Sequence, residues 1–201
     1  NCDDPFESNF SLHFLMNFNY LGLKRFISIG YSGSSIANTH LIKNGVYCLD
    51  ISDTKHCLQG DQTDLDADAI FRMLDNEDSC IHIIEDEPDY LAGDFRSETS
   101  KKLLEQADVV VGNPPFPLFR EYFAMLQKYS KKFLIIGNMN AITYKEFFPY
   151  LQKNQVWVGA TNFNTGMYFY VRDDFVYRKS YKFLKELDGR PVNRVPATAW
   201  Y

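Results

Sequence analysis

The chain has 201 residues, of which 45% are hydrophobic and 16% aromatic, enough to bury one sizeable core and too few for two ordinary domains. Charged residues make up 23% of the chain, and with this apolar share they exclude an intrinsically disordered or collagen-like protein. No apolar run reaches the roughly 18 residues that a membrane span needs, and no amino-terminal segment resembles a secretion signal. We therefore expect one domain over residues 1–201, soluble and cytoplasmic, with no membrane partner.

The net charge of −5 conceals an uneven distribution. Residues 50–98 carry fifteen acidic and three basic side chains, a local charge of −12, whereas residues 99–201 carry fifteen basic and eight acidic ones, a local charge of +7. A basic carboxyl half is compatible with nucleic acid approaching one side, although the solvated faces of ordinary helices would explain the charge equally well. The four cysteines form no CxxC pair, so we expect reduced thiols and no metal site.

The first half of the chain is predicted to contain one amphipathic helix followed by three strands. The helix spans about residues 7–21, and the strands lie at 25–31, 46–51 and 80–84. A polar, Asp-rich stretch separates the second and third strands. We interpret residues 45–90 as an inserted hairpin with a long acidic excursion.

The second half shows a regular alternation of strands and helices. Helices are predicted at 98–106, 119–128 and 143–151, and strands at 108–112, 133–137, 156–160 and 167–171. Alternation of this kind, with several strands that are continuous apolar runs, predicts an α/β fold with a mainly parallel sheet covered on both faces.

The most specific motif is the run Asn113, Pro114, Pro115, Phe116, directly after an apolar strand. Neither proline has an amide hydrogen, so the chain has to leave the sheet here, at the edge where open sheets bind ligands. The Asn113 side-chain oxygen and the Pro114 carbonyl can accept both hydrogens of an exocyclic amino group on a flat heterocycle such as a nucleic-acid base. The nitrogen lone pair then turns out of the plane of the ring. Phe116 can stack on the base, and a cofactor has to supply the electrophile. A structural proline turn is the alternative.

Together with other segments, this motif resembles the EcoRI-type adenine-specific DNA methyltransferases. The matching segments cover nearly the whole chain in order, at residues 1–5, 93–97, 113–116, 132–136 and 142–146. The resemblance implies S-adenosylmethionine as the small-molecule methyl donor. It also implies a Rossmann-like methyltransferase core, with a mixed, mostly parallel seven-stranded sheet, helices on both faces and the acidic hairpin as an insertion. In this family residues 113–116 would be catalytic.

The resemblance places the start of the chain at the cofactor. The turn formed by Cys2, Asp3, Asp4 and Pro5 would face the methionine part, where a carboxylate would pair with the ammonium group. The chain departs from the wider superfamily in having no glycine in this turn. From the residues alone, capping of the following helix explains the acidic residues equally well.

Two further segments complete the expected cofactor site. Asp94 and Phe95 match the family segment for the cofactor adenine, one by hydrogen bonding and the other by packing, although a turn followed by a core phenylalanine would look the same. Rossmann-like sites usually have an acidic residue for the ribose after a core strand, but the strand at 25–31 is followed only by hydroxyl groups and backbone, so Tyr31 or Ser32 is the candidate there. We assign the histidines no role.

The resemblance implies methyl transfer to the amino nitrogen of a flipped-out adenine in double-stranded DNA, in a restriction-modification or phage setting. A cognate restriction nuclease acting on the same site would then be a partner. Methylation of RNA adenine or of a protein glutamine is the alternative, and a non-catalytic module that binds DNA or nucleotide is the second. No GxGxxG occurs, which disfavours a hydride-transferring enzyme. We expect the 201 residues to be a segment with the catalytic core but no complete DNA-reading region, so that duplex binding is weak and steeply salt dependent.

Overall fold

The fold is taken from a computed structural model, which describes residues 5, 8–33, 46–52, 80–160, 166–170, 184–195 and 197–201. The chain divides into two compact units, residues 1–106 and residues 107–201. The described strands form three three-stranded sheets, one in the first unit and two in the second. Within this part of the chain, no helix has the length and apolar character needed to cross a membrane.

In its described residues the first unit combines two α-helices with an antiparallel sheet. Its elements are α1 (Asn9–Met16), β1 (Phe26–Ile29), β2 (Val46–Ile51), β3 (Ile81–Ile84) and α2 (Glu98–Gln106). The strand β2 lies between β1 and β3 and is antiparallel to both, with Cys48 opposite Ile29 on one side and His82 on the other. The antiparallel pairing of β2 with β3 agrees with the predicted hairpin, whose acidic excursion lies outside the described residues, and the interpretation of residues 45–90 as an insertion stays a prediction.

Strand β2 is the centre of the first unit because its two faces enter two clusters of buried side chains. Tyr47, Leu49 and Ile51 pack with Leu15 and Phe18 from the α1 region. The alternate residues Val46 and Cys48 pack with Ile84 and Ala92. Successive side chains of a strand point to opposite faces, so a strand buried on both sides reads as a continuous apolar run.

Helix α1 is shorter than the predicted helix over residues 7–21. The Ser8 side chain accepts a hydrogen bond from the Phe10 amide at 3.2 Å and caps the amino end. At the other end the Asn17 side-chain amide donates to the His13 carbonyl at 2.8 Å. This contact competes with continuation of the helix, and the following turns close at Gly22, which has a φ of +64°.

Where the structure describes it, the second unit has two sheets and four helical segments. Its strands are β4 (Val109–Gly112), β5 (Lys132–Asn138), β6 (Met167–Tyr170), β7 (Leu184–Leu187), β8 (Arg190–Val195) and β9 (Thr198–Trp200). Its α-helices are α3 (Phe119–Lys128) and α4 (Phe148–Gln152), and its 3-10 helices are Phe116–Leu118 and Met139–Thr143. One sheet pairs β4 with β5 in parallel and β5 with β9 antiparallel, and the other is antiparallel in the order β6-β8-β7.

An aromatic cluster holds α3 against β5. The rings of Phe119 and Phe123 pack on Phe147, with centroids 5.7 and 4.6 Å apart, and Phe147 also packs on Tyr201 at 4.9 Å. Gly137 in β5 allows this approach, because a Cβ atom there would lie 2.4 Å from the Phe119 ring. The βαβ unit formed by β4, α3 and β5 is the part of the second unit closest to the predicted alternation.

Two predicted elements of the second half are wrong. Residues 156–160 form no strand, although the Gly159 amide donates to the Trp200 carbonyl at 2.7 Å. The helix predicted at 143–151 is replaced by the 3-10 helix Met139–Thr143 and by α4. Pro149 lacks the amide hydrogen that a helix starting at residue 143 would need, so α4 can begin only just before it.

The α/β class is confirmed, with mixed sheets. Among the described strands only β4 and β5 are parallel, so the mostly parallel seven-stranded sheet is not seen there. The difference arises because β1 pairs with the hairpin strand β2, and because β6, β7 and β8 form a sheet of their own. The single domain over residues 1–201 stays a prediction.

Candidate functional site

The Asn-Pro-Pro-Phe turn (residues 113–116) directly follows β4, as predicted. Strand β4 ends at Gly112, which lies beside Ile135 of β5 in a parallel register. The carboxyl ends of the two strands therefore lie at the same edge of the sheet, where ligands bind in open α/β sheets. The 3-10 helix Phe116–Leu118 and then α3 carry the chain away from this edge.

Backbone contacts hold the turn in one conformation. Pro115 has extended torsions, with φ −62° and ψ 124°, and its carbonyl accepts a hydrogen bond from the Leu118 amide at 2.9 Å. The Phe116 carbonyl accepts from the Phe119 amide. Pro114 is buried and Pro115 exposed, while Asn113 and Phe116 are partly exposed. The two side chains predicted to touch a base are thus neither enclosed in the core nor fully in solvent.

Gly112 adds a feature that the sequence prediction missed. The residue is buried, yet a Cβ atom built on it would meet no heavy atom within 4 Å. A small open space therefore lies next to the predicted catalytic turn. The signal in the sequence was a glycine closing an otherwise β-branched strand, since glycine in a strand often marks a close approach of a ligand or of another backbone.

In the first unit, two segments predicted for the cofactor contact each other through their backbones. The Ser32 amide, just after β1, donates to the Ala92 carbonyl at 3.0 Å. Gly93 has a φ of +76°, and a Cβ atom there would lie only 1.7 Å from the Gly30 carbonyl oxygen. The loop with Tyr31 and Ser32 and the turn that contains Asp94 are therefore neighbours.

The start of the described chain reaches the same place. Pro5 is buried, and a Cβ atom on Gly30 would be 3.2 Å from its Cδ. The structure thus brings together five of the predicted cofactor residues, namely Pro5, Tyr31, Ser32, Asp94 and Phe95. Cys2, Asp3 and Asp4 lie outside the described residues, and the predicted catalytic turn belongs to the second unit.

The Asp94 carboxylate is held by Arg96. Its Oδ1 accepts from the Arg96 backbone amide and from Nε, both at 2.9 Å, and its Oδ2 accepts from Nη2 at 2.8 Å. These hydrogen bonds lower the pKa of Asp94, which is only 6% exposed. The contacts with Arg96 engage both oxygens and orient the carboxylate.

Arg96 is a second residue that the sequence prediction missed as part of the site. Its guanidinium carbon lies 5.2 Å from the ring centroid of Tyr90 and 5.5 Å from that of Phe95. An arginine at this distance stacks its guanidinium on the aromatic rings. It can at the same time donate hydrogen bonds in the plane of the guanidinium. The signal was its position two residues after Asp94, which permits a local contact but does not specify one.

An open groove of about 400 Å³ lies elsewhere in the second unit. It is lined by Phe123, Ala124, Gln127, Lys128, Glu146 and Tyr150. None of these residues belongs to the predicted site, and we assign the groove no role.

The whole chain is similar to a known protein family. Residues 1–201 match the family described as adenine-specific methyltransferase EcoRI. The chain is 40% identical over 162 residues to the Type II methyltransferase M.EcoRI of Escherichia coli, which covers 80% of this chain and 43% of that protein. No solved structure matches the chain.

Two mycoplasma proteins match over all of the chain. The Type II methyltransferase M.MpnI of Mycoplasma pneumoniae is 30% identical over 203 aligned positions, or 51% of its own length. The Type II methyltransferase M.MgeORF184P of Mycoplasma genitalium is 28% identical over 202 positions, or 52% of its length. The chain thus spans about half the length of the curated relatives that it matches. With the family match over residues 1–201, these findings show that the chain belongs to the EcoRI-type adenine-specific methyltransferase family.

Proposed function

We propose that this chain is the catalytic core of a site-specific DNA adenine methyltransferase. It transfers a methyl group from S-adenosylmethionine to the exocyclic amino nitrogen of a flipped-out adenine. Family membership supports the activity, and the names of the relatives as Type II methyltransferases support a restriction-modification setting with a cognate nuclease. The structural observation that carries the proposal is the position of residues 113–116 at the carboxyl end of β4, beside the parallel strand β5.

The turn activates the amino nitrogen by accepting its two hydrogens. The Asn113 side-chain oxygen and the Pro114 carbonyl are the acceptors, and the torsions of the two prolines restrict the directions of these groups. With both hydrogens held, the nitrogen becomes more tetrahedral and its lone pair leaves the ring conjugation. Phe116 stacks on the base, a contact of about 1–3 kcal/mol in comparable sites, and the space at Gly112 leaves room beside the turn.

A base paired inside a duplex cannot reach these acceptors. The adenine is therefore extruded from the helix before the reaction, at a cost of a few kcal/mol for unpairing and unstacking. Asn113 is a neutral acceptor and removes no proton beforehand. The proton leaves the nitrogen after the transfer, when the amine has become positively charged and strongly acidic.

The cofactor supplies a methyl group on a sulfonium, which is a strong electrophile. The side chains that the structure brings together in the first unit have the chemistry to bind the nucleoside part of the cofactor. Asp94 offers a carboxylate held by Arg96, Phe95 a partly exposed ring, and Tyr31 and Ser32 hydroxyl groups. Asp3 and Asp4 are assigned to its ammonium group.

We assign the chain to one Rossmann-like methyltransferase domain over residues 1–201, with residues 45–90 as an insertion. The βαβ unit of β4, α3 and β5 supports this architecture. Cytoplasmic localisation follows from the proposed activity on cellular or phage DNA.

Transfer of labelled methyl tests the proposal. The full-length protein is incubated with labelled S-adenosylmethionine and unmethylated pools of DNA, RNA and protein, as wild type, as Asn113→Ala and as the control Asn140→Ala. Asn140 is exposed in the 3-10 helix Met139–Thr143 and undergoes the same chemical change. We expect label in DNA adenine, a loss of about a hundredfold or more in the Asn113 variant, and no loss in the control.

Other outcomes select among the alternatives. Label in RNA or protein but not in DNA would favour the corresponding substrate. Binding without transfer to any pool would favour a non-catalytic module. Full activity of Asn113→Ala would remove this residue from its assigned role.

A further inference from the structure

One face of the sheet formed by β6, β8 and β7 exposes aromatic rings to solvent. Tyr168 is 51% and Tyr170 48% exposed, whereas the alternate residues Met167 and Phe169 are less exposed. Alternate residues of a strand share a face, so both tyrosines lie on the same side of the sheet. Contiguous patches of exposed apolar surface mark interaction sites, whereas single exposed apolar side chains do not.

Arginines from β8 lie on the same face. Tyr168 is opposite Arg194 in the antiparallel register, and directly opposite residues share a face. Arg190 is exposed, and its guanidinium carbon lies 4.0 Å from the ring centroid of Tyr170. We call this set of four residues, Tyr168, Tyr170, Arg190 and Arg194, the tyrosine–arginine face.

The hairpin between β7 and β8 gives Arg190 a defined position. Asp188 and Gly189 form its tight turn, with φ values of +52° and +72°. An Asp-Gly turn with two positive φ values matches the twist of antiparallel strands and sets their register. The Arg190 side chain is thus attached to a backbone of defined conformation. Stacking on the Tyr170 ring restricts that side chain further.

We propose that the tyrosine–arginine face binds the phosphate backbone of the substrate DNA. The inference rests on the proposed function, to which it adds a contact surface. Charge complementarity favours this occupant, since the face lies in the half of the chain with a local charge of +7 and presents guanidinium groups. A guanidinium matches two phosphate oxygens in a planar fork, and tyrosine hydroxyls donate to phosphate as well.

The test is equilibrium binding of the full-length protein to labelled duplexes, measured by fluorescence anisotropy at several salt concentrations. Two DNA duplexes are compared, one with the sequence in which the labelling experiment locates the methyl group and one of the same length and composition in scrambled order, and an RNA duplex of the first sequence is measured beside them. The variants are Arg190→Gln and Asp188→Asn, with Lys24→Gln as control. Lys24 is exposed in the first unit and loses the same charge as Arg190.

We expect Arg190→Gln to lower the affinity for both DNA duplexes by about three- to tenfold. The slope of log affinity against log salt concentration should become shallower by about 1. Asp188→Asn removes a negative charge next to Arg190, and asparagine accepts the positive φ, so it should strengthen binding at low salt. Lys24→Gln should leave both affinities and the slope unchanged. Thermal melting of each variant, matching the wild type, excludes unfolding as the cause.

Three results would overturn the inference without affecting the proposed function. The first is an Arg190→Gln variant with the affinity and salt slope of the wild type. The second is a lower affinity for only one of the two DNA duplexes, since a backbone contact carries no sequence preference. The third is weakening on an RNA duplex of the same sequence but not on DNA. Failure of the proposed function has its own readout, namely no methyl transfer to DNA by the wild-type protein.

Discussion

The Arg96 guanidinium donates two hydrogen bonds to the Asp94 carboxylate, from Nε to Oδ1 at 2.9 Å and from Nη2 to Oδ2 at 2.8 Å. The Arg96 amide adds a third bond to Oδ1. Asp94 and Arg96, two residues apart in the chain, thus restrict each other's side-chain conformation. The Asp94 carboxylate is therefore oriented before a ligand binds. A side chain whose rotamer is fixed in advance loses less entropy on binding.

We predict that Arg96→Ala weakens binding of S-adenosylhomocysteine by about tenfold, in line with the loss of a charge-assisted hydrogen bond that orients Asp94. Arg96→Lys keeps the charge but not the planar fork, so it should fall between the wild type and the alanine variant. Calorimetric titration measures the Kd, and kinetics should show a raised KM for the methyl donor at nearly constant kcat. Lys102→Ala, at an exposed position in α2, is the control. Equal Kd values for wild type and Arg96→Ala would refute the role of Arg96.

The Asp94 contact also predicts a pH dependence of stability. Its pKa is lowered in the folded protein from the ordinary value of 3.8, chiefly by the hydrogen bond from Arg96. The stabilisation is therefore fully present above pH 3.8 and is lost as the pH falls through the lower folded pKa. The difference in unfolding free energy between wild type and Asp94→Asn, from urea titrations, should be larger at pH 7 than at acidic pH. A constant difference would contradict the ion pair.

At the proposed catalytic turn, we predict that Asn113→Asp retains more methyl transfer than Asn113→Ala, because aspartate keeps an oxygen acceptor in the same place. Single-turnover rates on DNA should separate the two variants by about tenfold or more. Phe116→Trp should likewise retain more activity than Phe116→Leu, because it preserves a ring for stacking. Equal rates for aspartate and alanine would argue against the acceptor role of Asn113.

Two glycines with positive φ provide a matched pair for stability. Gly93 has a φ of +76°, and a Cβ atom there would lie 1.7 Å from the Gly30 carbonyl oxygen. Gly22 has a φ of +64°, and a Cβ atom there would meet nothing within 4 Å. Gly22→Ala should therefore cost only about 1–2 kcal/mol of unfolding free energy, for the backbone conformation. Gly93→Ala adds a backbone clash and should cost clearly more, as chemical denaturation of both variants will show.

The two described cysteines should differ in reactivity. Both carry thiols, but Cys48 is buried in β2 while Cys80 is partly exposed. Burial raises the pKa of the Cys48 thiol to about 11, so little thiolate forms at pH 8. In a protein with Cys2→Ser and Cys57→Ser, iodoacetamide should modify Cys80 first and Cys48 only after denaturant is added. Mass spectrometry of the native protein would contradict this if Cys48 reacted at the same rate.

Sequence reasoning was most successful where the signal is local. Helix α3 spans Phe119–Lys128 as predicted, because its apolar residues recur with helical spacing. The Asn-Pro-Pro-Phe turn ends β4 as predicted, because proline removes amide hydrogens from the ladder. Local patterns failed where a distant partner decides the outcome. The apolar run at residues 156–160 predicts a strand, yet the structure forms none there, and the Gly159 amide donates to the Trp200 carbonyl at the end of β9.

The amino-acid sequence by itself therefore determined the α/β class, the family and the residues of the proposed catalytic turn. The α/β class and the turn depend on periodicity and on the covalent chemistry of proline, which are complete within a short stretch of chain, and the family follows from the resemblance of several segments to the EcoRI-type methyltransferases. Only the tertiary structure decided that Gly93 touches Gly30 and that Arg190 lies over Tyr170. Such contacts join segments far apart in sequence or depend on the register of paired strands, and the free energy that selects them comes from packing, which no local pattern encodes.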